Sequence, residues 1–377
     1  RSQPARRRMR LQLMGMPSPL TLRQIGLAWV LSGAVPAAMA VTFPPNHADF
    51  LYHTYDGDGT TVSGTTVLVH KAVRPDTAVS AHYSADAISS ASIQTTAGDY
   101  IDRRNEIGFD VEYGHSAAIA NVGFSSVQED DFSARTFDFD ISQDALKGLA
   151  TLHLGGGRAW DTINKKGTKF EDEATHYHYR LGLTGIVTPT TLINLDYEVQ
   201  SDNGYLTNPY FSARILGATI EEKKPEVRTS QALAVRLAQS FTPRLSLAAD
   251  YRYFWDSWHI NAHTLDSRIS FQLGPRWLTE LKARLYTQTE AAFYSDNFAE
   301  PLNFMSRDKQ LSRFSSYGLG LKVQLEMFGK LWRLQRGTFS VGYDHMVVEY
   351  ENFTDITTNA PHNFTAGIFQ TMISVWY

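Results

Sequence analysis

The stretch Ser316–Met327, SYGLGLKVQLEM, alternates between two kinds of side chain at every position. One face carries Tyr317, Leu319, Leu321, Val323, Leu325 and Met327, and the other carries Ser316, Gly318, Gly320, Lys322, Gln324 and Glu326. A repeat of two residues is the period of a β-strand, whose successive side chains point to opposite sides. This segment is therefore predicted to be a strand that separates an apolar environment from a polar, charged one.

The same alternation recurs along most of the chain, for example over residues 106–113, 193–199 and 245–253. Short turns are predicted at 73–76, 114–116, 144–148, 188–190, 242–244, 274–276 and 328–336. Longer polar links are predicted at 85–103, 159–173, 201–228, 290–312 and 351–361, with shorter ones at 57–64, 128–132 and 256–259. Between them lie about 16 strands (14–18) of about ten residues each, a length that crosses hydrocarbon when tilted. Only residues 211–222 show a weak helical pattern.

Short turns on one rim and longer loops on the other are typical of membrane-spanning barrels. A β-sandwich has strands of about five or six residues, and a β-propeller shows a repeat in each blade, which this sequence lacks. The predicted fold class is all-β, a transmembrane antiparallel up-and-down β-barrel. Its apolar face would meet lipid and its charged face a wet lumen.

Composition excludes several classes of protein. A formal net charge of −4 over 377 residues gives no reason to expect nucleic acid as a partner. The chain has no cysteine, so it has no disulfide framework, no haem-attachment motif and no lipoprotein anchor. Its sequence contains no cofactor motif, and none is expected to be bound.

The first forty residues resemble a secretory signal peptide. Arginines at 6–8 and 10 precede an apolar run over residues 25–38, and the pattern ends in the small-x-small sequence Ala38-Met39-Ala40. The apolar run is shorter than the roughly twenty residues of a spanning helix. We expect residues 1–40 to be a signal peptide, with a gene-model extension before Met9, and residues 41–377 to be an outer-membrane β-barrel domain of a Gram-negative bacterium.

The last residues of the sequence read FQTMISVWY and continue the alternation. They resemble the outer-membrane assembly signal, with Tyr377 as the terminal aromatic residue, Val375 and Ile373 as apolar partners and Phe369 as the upstream aromatic residue. The resemblance implies two partners, the outer-membrane assembly machinery and outer-membrane lipid. A last strand of this kind must pair with the first, since an open edge in lipid leaves backbone groups unsatisfied.

Three stretches, YHTYDGDGT (52–60), VLVHKAV (67–73) and VSAHYSADAISSASIQTTA (79–97), resemble a family of Gram-negative outer-membrane proteins that is defined only as a domain of unknown function. The family motif corresponds to Tyr83, Asp86, Ile88, Ser89, Ala91 and Ser92. The resemblance implies an exported barrel and no particular reaction. Relatives tend to be encoded beside a small lipoprotein and a periplasmic flavin-transfer enzyme, which implies a periplasmic or lipoprotein partner.

The polar face is expected to line a lumen with two walls of different charge. The acidic wall consists of Glu106, Asp110, Glu112, Asp138, Asp140, Asp196 and Glu198. The basic wall consists of Arg236, Arg252, Arg268, Lys282, Arg284 and Lys322, mixed with some acidic residues. A transverse field between such walls orients polar solutes and filters ions in pores. The alternative is that salt bridges between these side chains fill and rigidify the interior.

Two groups of residues are weak candidates for metal ligands. Asp56 and Asp58 resemble the start of a calcium loop, but Val67 stands where an EF-hand needs glutamate, and a glycine-rich turn is the alternative. His153, His176 and His178 could bind zinc or copper if their strands pair. As the alternative, they are ordinary polar residues of the lumen.

The sequence predicts the function of the chain less directly than its fold. A porin-like channel or selective transporter with a charged lumen is expected. One alternative is a non-catalytic sleeve or docking scaffold for a periplasmic partner, for example a flavin- or metal-based redox carrier. Another is an envelope hydrolase that uses His82, Asp86 and Ser89. Since short polar side chains of a loop folded into the lumen explain that serine cluster better than a catalytic site does, no enzymatic activity is expected.

Overall fold

The computed structural model describes residues 43–90 and 100–377, and the predicted signal peptide lies outside them. The strands are β1 (His47–Gly57), β2 (Thr60–Arg74), β3 (Thr77–Ser90), β4 (Tyr100–His115), β5 (Ala118–Gln128), β6 (Phe132–Ala145), β7 (Ala150–Asn164), β8 (Glu171–Thr188), β9 (Thr191–Gly204), β10 (Ser212–Ile215), β11 (Ala218–Glu221), β12 (Val227–Thr242), β13 (Leu245–Asp256), β14 (Asn261–Gln272), β15 (Trp277–Gln288), β16 (Phe314–Phe328), β17 (Arg336–Thr354) and β18 (Pro361–Trp376). In the described part, helical structure is limited to 3₁₀ turns at Leu146–Gly148 and Lys309–Leu311. None of its helices has the length and hydrophobicity to cross a membrane.

All strands except β10 and β11 form one closed antiparallel barrel in which each strand pairs with its neighbours in sequence. This confirms the predicted all-β, up-and-down barrel of about 16 strands. The barrel closes between β1 and β18, from His47 opposite Trp376 to Gly57 opposite Ala366. Beyond β18, the backbone N–H of Tyr377 donates to the carbonyl of Asn46 at 3.1 Å. The predicted closing strand therefore does pair with the first strand.

The two rims of the barrel differ as the sequence predicts. Short turns join β2 to β3, β4 to β5, β6 to β7, β8 to β9, β12 to β13, β14 to β15 and β16 to β17 at one rim. The other rim, called the long-loop rim here, carries the segments between β9 and β12 and between β15 and β16. Its tightest connection is Asp58-Gly59, where φ is 55° and 65°. Positive φ at both central residues is the requirement of a type I′ hairpin turn, which Asp-Gly favours.

Two expectations about local structure are wrong. The barrel strands have 11 to 19 residues instead of about ten, so several extend into segments that were predicted to be loops. β3 and β4 take up both ends of 85–103, and β7 and β8 take up parts of 159–173. The segment with the weak helical pattern forms the β10–β11 hairpin, because Leu216 and Gly217 adopt positive φ at its tip and reverse the chain.

The outward and inward faces of the strands match the alternation. Large apolar side chains such as Phe109, Phe139, Leu181, Leu319 and Tyr343 are exposed on the outward face. Phe369 and Ile373 of the predicted assembly signal are also exposed there, and Val375 has the same strand parity. The positions between them point inward, where polar and charged side chains are mostly half-buried. The barrel thus has an apolar exterior and a polar lumen.

Candidate functional site

The lumen wall contains the residues predicted for it. All members of the acidic wall (Glu106, Asp110, Glu112, Asp138, Asp140, Asp196 and Glu198) and of the basic wall (Arg236, Arg252, Arg268, Lys282, Arg284 and Lys322) have the inward parity of their strands. The acidic group lies on β4, β6 and β9, and the basic group lies on β12 to β16. In the ring of strands, β4 stands across the lumen from β14, and β6 stands across from β16.

Neighbouring strands nevertheless pair these charges locally. The basic residues form ion pairs between Arg236 and Asp250, Arg252 and Glu198 (3.1 Å), Lys282 and Asp344 (2.9 Å), Arg284 and Asp266 (3.0 Å), and Lys322 and Glu280 (3.7 Å). On the acidic side Glu106 contacts Arg104 at 2.8 Å, Asp138 contacts His178 at 3.1 Å and Asp196 contacts Arg180 at 2.9 Å. The field across the lumen is therefore weaker than two separated walls would give, since most positive charges have a partner within 4 Å.

Two of these partners were missed by the sequence reasoning. Asp344 on β17 receives both Nζ contacts of Lys282, at 3.0 and 2.9 Å. Arg104 on β4 donates to Glu106, two residues along the same face. The alternating segment Tyr343-Asp344-His345-Met346 could have identified Asp344 as a lumen residue. Since Tyr343 is exposed on the outward face, the next residue along the strand faces inward.

Glycines make room for the charged side chains against the wall. Gly64, Gly155 and Gly320 are inward-facing, and each is paired directly with a carboxylate residue: Asp86, Asp140 and Asp344, respectively. A Cβ atom on any of these glycines would collide with the carboxylate oxygen of its partner. The carboxylates therefore lie over the glycine backbone instead of projecting into the bore. This arrangement keeps these carboxylates against the wall while the lumen remains lined with charge.

The charged side chains at mid-height stay accessible to solvent. Arg252 and Glu198 are 42% and 45% exposed despite their ion pair, and His178 and Asp138 are 44% and 40% exposed. A recess of about 230 Å³ opens here between β8, β9, β12 and β13, lined by Arg180, Glu198, Arg252 and Phe254 among others. The middle of the barrel is therefore not packed solid.

Near the long-loop rim the lumen is crossed by the segment between β9 and β12. Phe211 of this segment packs against a buried apolar cluster of Tyr55, Val62, Ile88 and Ala366. These four residues face inward on β1, β2, β3 and β18, on the side of the ring opposite β9 and β12. Contact between Phe211 and this cluster requires the segment to pass over the bore. We call residues 205–226 the crossing loop.

A second segment, residues 289–313 between β15 and β16, packs against the crossing loop. Lys223 and Met305 exchange both backbone hydrogen bonds, at 3.0 and 2.9 Å. Ala213 of the crossing loop, fully buried, forms an apolar cluster with Phe298 and Met305. We call residues 289–313 the partner loop, and together the two loops have a core of their own.

A buried ionic triad also joins the two loops. The ammonium of Lys224 lies 2.8 Å from Asp308 and 3.1 Å from Glu222, and all three side chains are almost completely buried. Burial raises the pKa of the Glu222 carboxyl to about 7, and the Asp308 charge acts in the same direction. Burial alone would lower the pKa of Lys224, but the carboxylates of Asp308 and Glu222 raise it. The triad holds two acids and one base, so full ionisation leaves one buried negative charge in excess.

Both loops are tied to the barrel wall. Lys309 of the partner loop forms an ion pair with Asp58 at the β1–β2 turn, and Asp58 also contacts His362 at 2.7 Å. In the crossing loop, the Tyr210 hydroxyl donates to Asp131 at 2.7 Å. These ties fix the two loops to the long-loop rim at two points that are four strands apart in the ring.

The predicted metal candidates are engaged in other contacts. The Asp58 carboxylate holds Lys309 and His362, and Asp56 accepts from Thr61 at 3.4 Å. These contacts agree with the alternative that Asp56 and Asp58 belong to a glycine-rich turn and not to a calcium loop. Of the three histidines, His176 lies between Asp202 and Asp161 at 2.7 and 3.1 Å, His178 contacts Asp138, and His153 contacts Thr184 at 3.3 Å. Because each imidazole has different partners, the structure does not gather them into one ligand set.

Within the described ranges, one other group has ligand atoms close enough for a metal ion. Carboxylate oxygens of Asp102, Glu129 and Asp131 lie within 4.8 Å of one another near the long-loop rim. Asp102 and Asp131 are buried, and Asp131 also accepts the hydroxyl of Tyr210. The three come from β4 and the β5–β6 connection, which the sequence gave no reason to bring together.

The residues of the serine-rich motif are divided between faces. His82 and Asp86 point inward, where they contact Glu106 at 3.5 Å and His53 at 3.3 Å. Ser89 has the opposite parity on β3, as does Tyr83, which is exposed on the outward face. Ile88 belongs to the apolar cluster under Phe211, and Ala91 and Ser92 lie outside the described residues. The strand thus separates the serine from the proposed base.

Residues 164–343 match a family described as "Protein of unknown function (DUF3570)", which confirms the resemblance to a family defined only as a domain of unknown function. No curated protein gives a significant sequence match.

Similar solved structures include the siderophore receptor PirA from Pseudomonas aeruginosa, with 10% identity, a TM-score of 0.47 and coverage of 87% of this chain and 61% of that one. A bacterial polysaccharide outer membrane secretin has 8% identity, a TM-score of 0.48 and coverage of 87% and 97%. A Pseudomonas aeruginosa FadL homologue has 9% identity, a TM-score of 0.43 and coverage of 88% and 90%. This chain spans 61% of the length of PirA.

Proposed function

We propose that this chain is an outer-membrane channel for small polar solutes, whose long-loop mouth is closed by the crossing loop and the partner loop. The single observation that carries the proposal is the contact of Phe211 with Tyr55, Val62, Ile88 and Ala366, across a lumen that is charged and solvent-accessible below it. A closed mouth above an accessible bore is the arrangement of a channel that must open to conduct.

The exterior supports a place in a membrane. Large apolar side chains occupy the outward face of nearly every barrel strand, among them Phe109, Phe124, Leu181, Leu233 and Leu321. Contiguous exposed apolar surface of this extent is unfavourable in water and favourable against lipid. Because the strands pair into a ring without an edge, their backbone groups are satisfied inside hydrocarbon.

The lumen supports passage of polar solutes. Ion pairs such as Arg252–Glu198 present both signs of charge to the bore, and carboxylates that lie over Gly64, Gly155 and Gly320 leave its width free. Rings of charged side chains in a wet pore exchange contacts with hydrated solutes and ions. A lumen lined mainly by paired charges favours solutes of low net charge.

Planar-bilayer recording tests the proposal. We expect wild-type protein to conduct in rare steps, and a variant in which residues 206–225 are replaced by a short glycine-serine linker to conduct in frequent, larger steps. A matched control shortens the β17–β18 connection at the exposed residues 356–359 and is expected to keep the wild-type behaviour. Absence of stepwise current from both the wild type and the 206–225 variant, with folding shown by heat-modifiable mobility in gels, overturns the proposal. The docking scaffold and the envelope hydrolase stay predictions of the sequence.

A further inference from the structure

The outward face of the barrel carries two arginines at the long-loop end of β6 and β7. Arg135 stands directly opposite Trp160, and Arg158 stands directly opposite Phe137 in the same strand pair. The two arginines are therefore diagonal neighbours, with Cβ atoms about 7–8 Å apart or less. On its other side, Arg158 is paired with Tyr177 of β8.

Arg158 is held by aromatic rings and has no counter-ion among the described residues. Its guanidinium carbon lies 4.6 Å from the ring centroid of Trp160 and 5.1 Å from that of Tyr177. Its Nε is buried and makes no hydrogen bond to the described part of the chain. Four inward-facing arginines differ, since Arg180, Arg236, Arg252 and Arg284 all have carboxylate partners.

Arg135 also lacks an ion pair within the described ranges, and its side chain is exposed. Two guanidinium groups without carboxylates on a lipid-facing surface are costly unless an anion from outside the chain reaches them, and the cost depends on depth. An exposed Arg135 beside a half-buried Arg158, neither with a carboxylate partner among the described residues, points to an external anionic ligand.

The position of the two arginines along their strands indicates where this anion comes from. On β6 the outward residues toward the turn are Phe137, Phe139 and Ile141, all exposed and apolar. On β8, Tyr179 and Leu181 lie toward the turn, whereas Thr175 and Glu173 lie toward the loop. Arg135 and Arg158 thus stand where the apolar band ends, at the level of lipid head groups, and the rings of Trp160 and Tyr177 are typical of that interface.

We infer that Arg135 and Arg158 bind the phosphate groups of a glycolipid in the outer leaflet, with Trp160 and Tyr177 against its sugar or upper acyl chains. This inference rests on the proposed placement in the outer membrane, with the long-loop rim outside. Guanidinium groups match phosphate by paired N–H donors, and the cation–π contacts hold Arg158 in place before the lipid arrives. Glu171 and Glu173 lie on the same face of β8 but further toward the loop. Their carboxylates are therefore not at the level of the phosphate groups, where the two arginines lie.

Native mass spectrometry of the folded protein with lipid A measures the interaction. We expect the wild type to retain lipid A that carries both phosphates, and the double variant Arg135→Gln with Arg158→Gln to bind it at least about tenfold more weakly. The matched control, Arg244→Gln with Arg276→Gln, removes two exposed arginines from the short-turn rim and retains wild-type affinity. If the double variant fails the heat-modifiability test of folding, Arg135→Lys with Arg158→Lys keeps the charges and is expected to bind with intermediate affinity.

Three results overturn the inference. Wild-type affinity in the arginine variant shows that the pair does not bind the lipid. Equal affinity for dephosphorylated lipid A shows that acyl chains alone are recognised. Displacement of lipid A by millimolar inorganic phosphate shows a site for the free anion. Bilayer conductance separates this test from that of the proposed function, because the arginine variant is expected to conduct like the wild type while it loses the lipid.

Discussion

Lys224 donates to Asp308 at 2.8 Å across 84 positions of sequence, and both side chains are buried. This contact joins the crossing loop to the partner loop at the mouth of the barrel. Since Glu222 lies 3.1 Å from the same ammonium, Lys224 is the single positive charge of a buried triad. The closed state of the mouth therefore depends on one side chain more than on any surface ion pair, which contributes little.

Replacement of Lys224 by methionine is expected to open the mouth. The variant keeps the bulk of the side chain but leaves Glu222 and Asp308 without their cation, and loss of one partner of a buried ion pair costs ~3–5 kcal/mol. We expect frequent channel openings and faster protease cleavage within residues 289–313. The control Lys223→Met changes an exposed neighbour and leaves both readouts unchanged. Unaltered cleavage in Lys224→Met would show that the triad does not hold the loops.

The closed state is expected to weaken as pH rises. Burial raises the pKa of Glu222 to about 7 from 4.5, so the closed loops bind its proton more tightly than open, solvated loops do. Such a group does not weaken the closed state at a pH below its ordinary pKa. The stability of the closed loops relative to the open loops then falls as pH rises from about 4.5 through about 7. Channel openings should increase over that interval.

Conductance recorded from pH 4 to 8 checks this expectation. Glu222→Gln removes the titrating group but keeps its shape next to Lys224 and Asp308, and should flatten the response. An undiminished pH response in Glu222→Gln would assign it to other groups.

Removal of the Phe211 ring should uncover the opposite wall. Phe211 is half-buried against the cluster that contains Val62, and its contact contributes about 1–3 kcal/mol to the closed state. The chain has no cysteine, so a single Val62→Cys substitution reports access to this wall through its rate of reaction with a maleimide. We expect a faster reaction when Phe211→Ala is added. Phe304→Ala, an exposed phenylalanine of the partner loop, serves as the control and should not change the rate.

Two glycines on neighbouring strands should differ in their tolerance of a methyl group. At Gly320 a Cβ would collide with the Asp344 carboxylate and push it off the wall, away from Lys282 and into the bore. Gly320→Ala is expected to lower single-channel conductance and to cost about 1–3 kcal/mol of barrel stability through overpacking. At Gly342 the nearest atom to a Cβ is Lys322 Cβ at 3.7 Å, so Gly342→Ala should have neither effect. Urea unfolding and open-channel current measure both, and equal behaviour of the two variants would refute the role of Gly320.

Much of the fold could be predicted because its signals are local. The alternation in Ser316–Met327 places Leu319 and Lys322 on opposite faces without knowledge of any partner strand, and a pleated backbone leaves no other choice. Inward-facing charges follow from the same rule, which is why each predicted lumen residue has the inward parity. Strand ends were less predictable, because β7 and β8 continue past the apolar band where polar residues no longer mark a boundary.

The partners of those charges could not be predicted in the same way. Which acid meets Lys282 depends on the registers of β15, β16 and β17 together, and a shift of one residue would turn each side chain to the other face. For this reason the three histidines proposed as metal ligands do not lie together. The registers of the two neighbouring strands place His176 between Asp161 and Asp202.

The sequence by itself determined a barrel with an apolar exterior, a charged lumen and two unlike rims, because the period of a strand and the residues of a turn act over a few positions. Only the tertiary structure decided that residues 205–226 cross the bore and that Phe211 reaches Ile88 on the far wall. The tie from Lys309 to Asp58 spans 251 positions, and closure of the ring is what brings such distant segments together. Loops carry no periodic pattern, so their inward course depends on the surfaces that the closed barrel presents to them.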